Sequence, residues 1–149
     1  MTLGRLTLVF LLLVPAATLD ARALKDAVVE KTVEGSPEWA VQKTLDAGRR
    51  DDLAGWFKDF CHPDLCIDTP TNRADMEKYT WKRFRKFVDS YLVDPAKLSF
   101  KVVKAEPSDF DDKAPQVKLF LHSSKRDMPA PIVLKKDASG RFKVFSLSL

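Results

Sequence analysis

The chain has 149 residues, of which 45% are hydrophobic and 31% are charged. This length suits one domain, and this balance excludes an intrinsically disordered chain. The formal net charge is only +4 and acids are interleaved with bases, which argues against a nucleic-acid-binding protein.

Residues 1–23 are predicted to be a removable secretory signal. Arg5 gives the segment a positive start, residues 6–14 form an apolar run, and small residues at 16–17 and 21–23 offer two alternative cleavage positions. The apolar run is too short to span a bilayer, which needs about 20 residues. No cysteine lies near either cleavage position, which argues against a lipid anchor. We therefore expect an exported protein, periplasmic or secreted.

The predicted domain occupies residues 36–149, and residues 24–35 form a lead-in segment. The weak pattern of the lead-in fits either a short helix or a loosely attached arm. Ser36-Pro37-Glu38 is a clear helix start, because serine caps, proline fits the first helical position and glutamate suits the positive end of the helix dipole. The helix is predicted to run to Ala47 and to end with Gly48 in the C′ position.

A second helix is predicted to begin at Asp51-Asp52 and to stop before Pro63. Apolar residues recur along it at helical spacing. They are Leu53, Trp56, Phe57 and Phe60. Trp39 falls outside the apolar face of the first helix, so it either packs on a neighbouring element or lines an opening. Most tryptophan rings are expected to belong to the core.

The two cysteines, Cys61 and Cys66, follow this helix. In a continuous α-helix, residues five apart have Cα atoms roughly 8 Å apart, which exceeds the ~7 Å that a disulfide tolerates. The bond therefore requires a break in the helix, and Pro63 provides one. Oxidised pairing is the default after export. A metal site that adds His62 and Asp64, and a redox-active pair, are weaker alternatives because the spacing matches neither a zinc pattern nor C-x-x-C.

A third helix is predicted from Arg73 to Val93, after the capping sequence Thr69 to Asn72. One side of it is apolar and the opposite side is basic. The basic face consists of Lys78, Lys82, Arg85 and Lys86. This face is either the solvated side of a core helix or a surface that contacts an anionic partner or a phospholipid membrane. Tyr79 falls toward the same side.

The last third of the chain changes to a period of two, which indicates strands. The four predicted strands are 98–104, 116–122, 130–135 and 141–147. A turn at residues 137–140 places Gly140 at a position that favours a positive φ angle. Short connections make consecutive strands antiparallel neighbours. The fold class is therefore α+β, with two to three N-terminal helices packed in the concave face of a curved antiparallel sheet of about four strands.

Two stretches resemble a known superfamily. The first, AVQKTLDAGRRDDLAGWF, is similar to the opening of nuclear-transport-factor-2-like (NTF2-like) domains, and the second, PIVLKKDASGRFKVFSL, is similar to the closing hairpin of exported members. The resemblance covers residues 36–149 and implies a cone with a pocket between helices and sheet, and often a dimer through the sheet. The superfamily includes isomerases and dehydratases, but no catalytic signature of such an enzyme is found in this chain.

The cone and the aromatic pattern together predict the residues that line the pocket. They are Trp56, Phe60, Trp81, Phe84, Tyr91 and His122. No catalytic residue, cofactor or metal is predicted. Of the two histidines, His62 is expected in a solvated turn, and the strand pattern leaves the burial of His122 undecided between two faces.

Three functions are consistent with these observations. The preferred one is an exported, non-enzymatic domain that binds a small apolar or amphipathic ligand, or an envelope protein. The second is an NTF2-like isomerase, dehydratase or hydrolase, which needs a histidine or an acid inside the pocket with a polar partner. The third is a membrane-surface interaction protein that acts through the basic helix 73–93.

Overall fold

The computed structural model describes residues 24–111 and 113–149, and within them the helices lie in the chain between one short strand and the other strands of an antiparallel sheet. This is the α+β class that the sequence predicts. The predicted secretory signal lies outside the described residues.

Helix α1, Pro37–Arg50, begins as predicted. The Ser36 hydroxyl accepts a hydrogen bond of 3.1 Å from the backbone N–H three residues along the chain. The helix ends later than predicted, at Arg50, and its C-cap residue Asp51 has a φ of +56° in the left-handed region. Gly48 is thus inside the helix, and the prediction that it ends the helix is wrong. A Cβ atom built on Gly48 would lie 2.5 Å from Cε1 of Phe84, so glycine permits the close approach of that ring.

Helix α2, Leu53–Asp59, is capped by Asp52, whose carboxylate accepts a hydrogen bond of 2.9 Å from the backbone N–H of Gly55. The helix ends before both cysteines, and the predicted disulfide between Cys61 and Cys66 is confirmed, with Cα atoms 5.9 Å apart. We call residues 61–66 the disulfide turn.

The disulfide turn is attached to the last strand of the sheet. The backbone N–H of His62 donates to the carbonyl of Val144, and the N–H of Val144 donates to the carbonyl of Phe60, both at 2.8 Å. A turn that the sequence places next to α2 is therefore fixed to a strand some eighty residues away in the chain.

The predicted helix 73–93 is a continuous helical segment of changing type. It begins as α3, Pro70–Asp75, and widens to a π-helix at Met76–Trp81. It returns to α geometry as α4, Lys82–Phe87, and ends in a 3₁₀ turn at Val88–Tyr91. The sequence predicts neither the π-helix nor the 3₁₀ turn.

The sheet has six strands rather than the predicted four. They are β1, Ala27–Val29; β2, Leu92–Asp94; β3, Ser99–Glu106; β4, Gln116–Leu121; β5, Ala130–Lys136; and β6, Phe142–Leu147. The order is β1-β3-β4-β5-β6, β2 also pairs with β3, and all pairs are antiparallel. The four longer strands match the predicted ones, and Gly140 has the expected positive φ of +80°. Strand β1 lies in the segment that was predicted to be a short helix or a loose arm, and strand β2 begins where the third helix was predicted to continue. Each has only three residues, which is too short for an alternating pattern to be recognised.

The buried side of the sheet and the aromatic sides of the helices form one core. Alternate residues of β4, Val117, Leu119 and Leu121, are fully buried. The ring of Trp81 lies 5.2 Å from that of Trp56 and 5.4 Å from that of Phe84, centroid to centroid. Large aromatic side chains therefore fill the interior.

Candidate ligand-binding cleft

A cleft with a volume of about 670 Å³ opens beside helix α2 and the disulfide turn. We call it the α2 cleft. Its apolar lining consists of Leu53, Ala54, Phe57, Pro63 and the disulfide Cys61–Cys66. Small-molecule sites in proteins commonly have volumes of about 300–1,000 Å³ and mostly apolar walls. The α2 cleft has both properties.

The local fold explains why this side of α2 is open. Leu53 and Phe57 are one helical turn apart and therefore share a face. Trp56 is turned toward the core, where its indole N–H donates a hydrogen bond of 2.9 Å to the Thr44 hydroxyl. This bond anchors α2 by its inner side, and the disulfide turn forms another part of the lining. The cleft is therefore lined by two fixed elements: a hydrogen bond holds α2, and a covalent bond closes the disulfide turn.

Charged side chains also line the α2 cleft, and we call them its rim. They are Lys58, Arg73, Lys143, Asp68 and Glu77. Arg73 donates from Nε to Asp68 at 2.7 Å, and its guanidinium carbon lies 5.4 Å from the centroid of the Phe57 ring. Lys58 is exposed and makes no ion pair with any residue that the structure describes. With three positive and two negative side chains, the rim has a small positive excess.

A second cavity, of about 510 Å³, shares Lys143 with the α2 cleft. Trp39 and Phe60 contribute an edge-to-face aromatic pair with ring centroids 5.2 Å apart. The rest of its lining is polar or charged and includes Asp137 and Arg141. The lining of this cavity is less apolar than that of the α2 cleft.

The Asp137 carboxylate is the most strongly perturbed acid near either cavity. Burial by itself raises its pKa, but hydrogen bonds from the side chains of Ser139 and Lys143 and from the backbone N–H groups of Ser139 and Arg141 lower it further. The resulting pKa is about 2, against an ordinary 3.8. Asp137 also closes the β5–β6 turn, since the backbone N–H groups of Ser139 and Arg141 point at it. Its role is structural, as an anchor for that turn.

The predicted pocket residues are spread over three environments. Trp56, Trp81, Phe84 and Tyr91 are at most 2% exposed and belong to the core. Phe60 lines the second cavity, and His122 is exposed beyond the end of β4. The α2 cleft uses Leu53 and Phe57 instead. Both lie on the apolar side predicted for α2, but helical periodicity alone does not show which apolar residues face the core and which line an opening.

One of the two histidines, His62, is in a different environment from the one predicted. His62 is only 6% exposed, so the prediction of a solvated turn residue is wrong. Its Nδ1 accepts a hydrogen bond of 3.1 Å from the backbone N–H of Asp64, and its Nε2 lies 3.2 Å from the Lys136 carbonyl. The geometry fits a neutral ring that donates from Nε2. Neither His62 nor His122 lines a described cavity.

The basic face of the third helical segment divides into bound and free cations. Arg85 pairs with the Asp51 carboxylate at 2.8 Å and also donates to the Gly48 carbonyl at 3.3 Å. It therefore holds the end of α1. Lys78, Lys82 and Lys86 are exposed and have no carboxylate partner within the described chain.

Comparisons with known proteins identify no relative: no family model, curated protein or solved structure matches the chain. Within residues 24–111 and 113–149, no group of three or more histidine, cysteine, aspartate and glutamate side chains is placed to hold a metal ion. No helix in those residues is both long and apolar enough to cross a membrane.

Proposed function

We propose that this protein is an exported, non-enzymatic binding domain that holds a small amphipathic ligand in the α2 cleft. The observation that carries the proposal is the composition of the cleft: a mostly apolar lining around a suitable volume, with the exposed Lys58, which pairs with no described residue, among the lining side chains. A ligand fits this cleft if its apolar body packs against Leu53 and Phe57 and its anionic end lies near Lys58.

The export proposal is supported by the disulfide, because such bonds persist in oxidising compartments and are rare in the cytosol. It agrees with the signal predicted at residues 1–23. The NTF2-like relationship is likewise a proposal, and the succession of helices and an antiparallel meander supports it. Because aromatic rings fill the interior, we place the ligand beside α2 rather than between helices and sheet. An envelope protein partner and a dimer through the sheet stay predictions.

The enzymatic alternative needs an acid or a histidine in the cleft with a polar partner. Asp68 and Arg73 are such a pair by distance, 2.7 Å, but their side chains are 69% and 58% exposed. That is the environment of a surface ion pair rather than of a dry site in which an acid or base is tuned for proton transfer. The arrangement therefore favours binding over catalysis.

The proposal is tested with 1-anilinonaphthalene-8-sulfonate, a fluorescent dye that combines an apolar ring system with an anionic sulfonate. We expect the purified protein to bind it with saturable fluorescence enhancement. Ala54→Trp fills the α2 cleft from an exposed position, so it should weaken binding at least tenfold. Ala74→Trp is the matched control, because Ala74 is also an exposed alanine of a short helix but does not line the cleft. It should leave binding unchanged.

Charge at the rim gives a second, independent measurement. Lys58→Glu should weaken binding of the anionic dye several-fold, whereas the same change at the exposed Lys113, which lines neither cavity, should not. Unchanged dye binding by Ala54→Trp, in a protein whose far-ultraviolet circular dichroism is native, would refute the α2 cleft as the binding site.

A further inference from the structure

A cluster of positive charge lies on the outer side of α4 and on the loop between β4 and β5. It consists of Lys82, Arg83, Lys86 and Arg126, and we call it the cationic face. The first three are exposed and Arg126 is half-buried. Residues three and four apart on a helix are neighbours, so Arg83, Lys86 and Phe87 lie on one side of α4.

The loop is attached to the helical segment by serine hydrogen bonds. The backbone N–H of Ser124 donates to the Ser90 carbonyl at 2.9 Å, and the hydroxyls of Ser90 and Ser123 are 2.8 Å apart in a buried position. These bonds place Arg126 beside α4, although more than thirty residues separate the loop from the helix in the chain.

The Phe87 ring brings two of the cations together. The guanidinium carbon of Arg126 lies 5.3 Å from the ring centroid, and Nζ of Lys86 lies 5.6 Å from it. Arg83 belongs to the same group, because it lies three residues before Lys86 on α4, and its charge and that of Arg126 both act on the buried Tyr91 phenol. Burial raises the pKa of Tyr91, and the two guanidinium groups oppose that rise. The cationic face is therefore a contiguous surface.

The cations of this face have no carboxylate partners among the described residues, in contrast to arginines nearby. Arg85 pairs with Asp51 and Arg73 pairs with Asp68. Asp127 is the one acid in the loop sequence His122 to Pro129, and it forms no ion pair with the four cations. Like charges that are held together repel one another, and an anionic partner removes that repulsion.

Exposed apolar side chains border the cationic face. Met128, in the same loop as Arg126, is 79% exposed, and Tyr79, one turn before Arg83, is 60% exposed. Cations beside exposed apolar and aromatic groups are typical of surfaces that bind the headgroup region of a membrane from one side. A duplex nucleic acid would use the cations but has no use for Met128.

From the unpaired cations and the exposed apolar side chains beside them, we propose that the cationic face binds the surface of an anionic phospholipid bilayer. Lipid phosphates contact Arg83, Lys86 and Arg126, and Met128 enters the boundary with the acyl chains. The face is separate from the α2 cleft, since none of its four cations lines either described cavity.

The test is co-sedimentation of the full chain with vesicles. We expect binding to mixed phosphatidylglycerol and phosphatidylcholine vesicles, no binding to phosphatidylcholine vesicles, and release as salt is raised to about 0.5 M. A cation near an anionic membrane surface is worth about a fivefold change in affinity. The Arg83→Gln/Arg126→Gln double variant should therefore bind about 25-fold more weakly.

Two further variants separate charge from fold and position. Arg83→Lys/Arg126→Lys keeps both charges and should retain most of the binding. Lys113→Gln/Arg141→Gln makes the same change in net charge at the opposite end of the β4–β5 hairpin. Lys113 lies just before β4, and Arg141 lies in the turn between β5 and β6. This control should bind like the wild type.

Three results would overturn the proposal. One is an absence of binding to phosphatidylglycerol vesicles at low salt. Another is an equal loss in the Lys113→Gln/Arg141→Gln control, which would show that only net charge matters. The third is equally tight, salt-sensitive binding to a duplex DNA oligonucleotide, which would assign the cationic face to a polyanion rather than to a membrane.

Discussion

Substitution of Gly48 by alanine has opposite effects on the helix propensity of α1 and on the packing of the core. Alanine has a higher helix propensity than glycine by about 1 kcal/mol, so an isolated α1 would become more stable. In the folded protein the added Cβ would lie 2.5 Å from Cε1 of Phe84 and 3.2 Å from Cγ2 of Val88. Comfortable carbon–carbon contacts are about 3.5–4.0 Å. Because Phe84 is fully buried, its ring has no free space into which to move.

The expected magnitude follows from these two opposing effects. Overpacking of a filled core costs about 1–3 kcal/mol, and the propensity gain offsets up to about 1 kcal/mol. We therefore expect Gly48→Ala to lower the free energy of unfolding by about 1–2 kcal/mol. The melting temperature of a domain of this size should fall by about 3–6 °C.

The measurement is urea unfolding followed by far-ultraviolet circular dichroism, with the slope m unchanged. Phe84→Leu is the partner variant, because it removes the ring that the new methyl group contacts. In that background Gly48→Ala should cost much less, so a double-mutant cycle isolates the contact. An increase in stability of about 1 kcal/mol on Gly48→Ala alone would show that helix propensity decides, and would refute the reasoning.

Two more predictions concern the walls of the cavities. Cys61→Ser/Cys66→Ser should lower the free energy of unfolding by about 2 kcal/mol through the lost ring closure, and the wild type in a reducing agent should match the variant in urea unfolding. Because the lowered Asp137 pKa stabilises the fold above pH 3.8, about 2 kcal/mol of stability should disappear as the pH falls toward 2. The Asp137→Asn variant should lack that loss in the same assay, and an unchanged acid dependence would contradict the assignment.

The elements whose signals are local were predictable from the sequence. The Ser36 cap, the four longer strands and the Gly140 turn depend on residues within one turn or one strand, and each was found where the pattern places it. The disulfide belongs to the same group, since only two cysteines exist and a short loop joins them. The three-residue strands β1 and β2 could not be predicted because their pairing partner, β3, supplies their stability.

Tertiary structure decided the environment of individual side chains. The Nε2 of the buried His62 lies 3.2 Å from the carbonyl oxygen of Lys136, which is 74 positions away in the chain. Arg85, predicted in the basic face, is not a free cation because it pairs with Asp51. Arg126 lies in the cationic face because Ser90 holds its loop beside the helical segment. The pattern of residues along the chain does not show which of these distant partners come into contact.

The sequence alone therefore determined the class of the fold, its main strands and its cross-link, since capping, alternation and turn chemistry act over a few residues. Only the tertiary structure decided that the aromatic rings fill the interior and that the open cleft lies beside α2. The reason is physical: periodicity marks which side of a helix is apolar, but whether that side is covered depends on the shape of what packs against it.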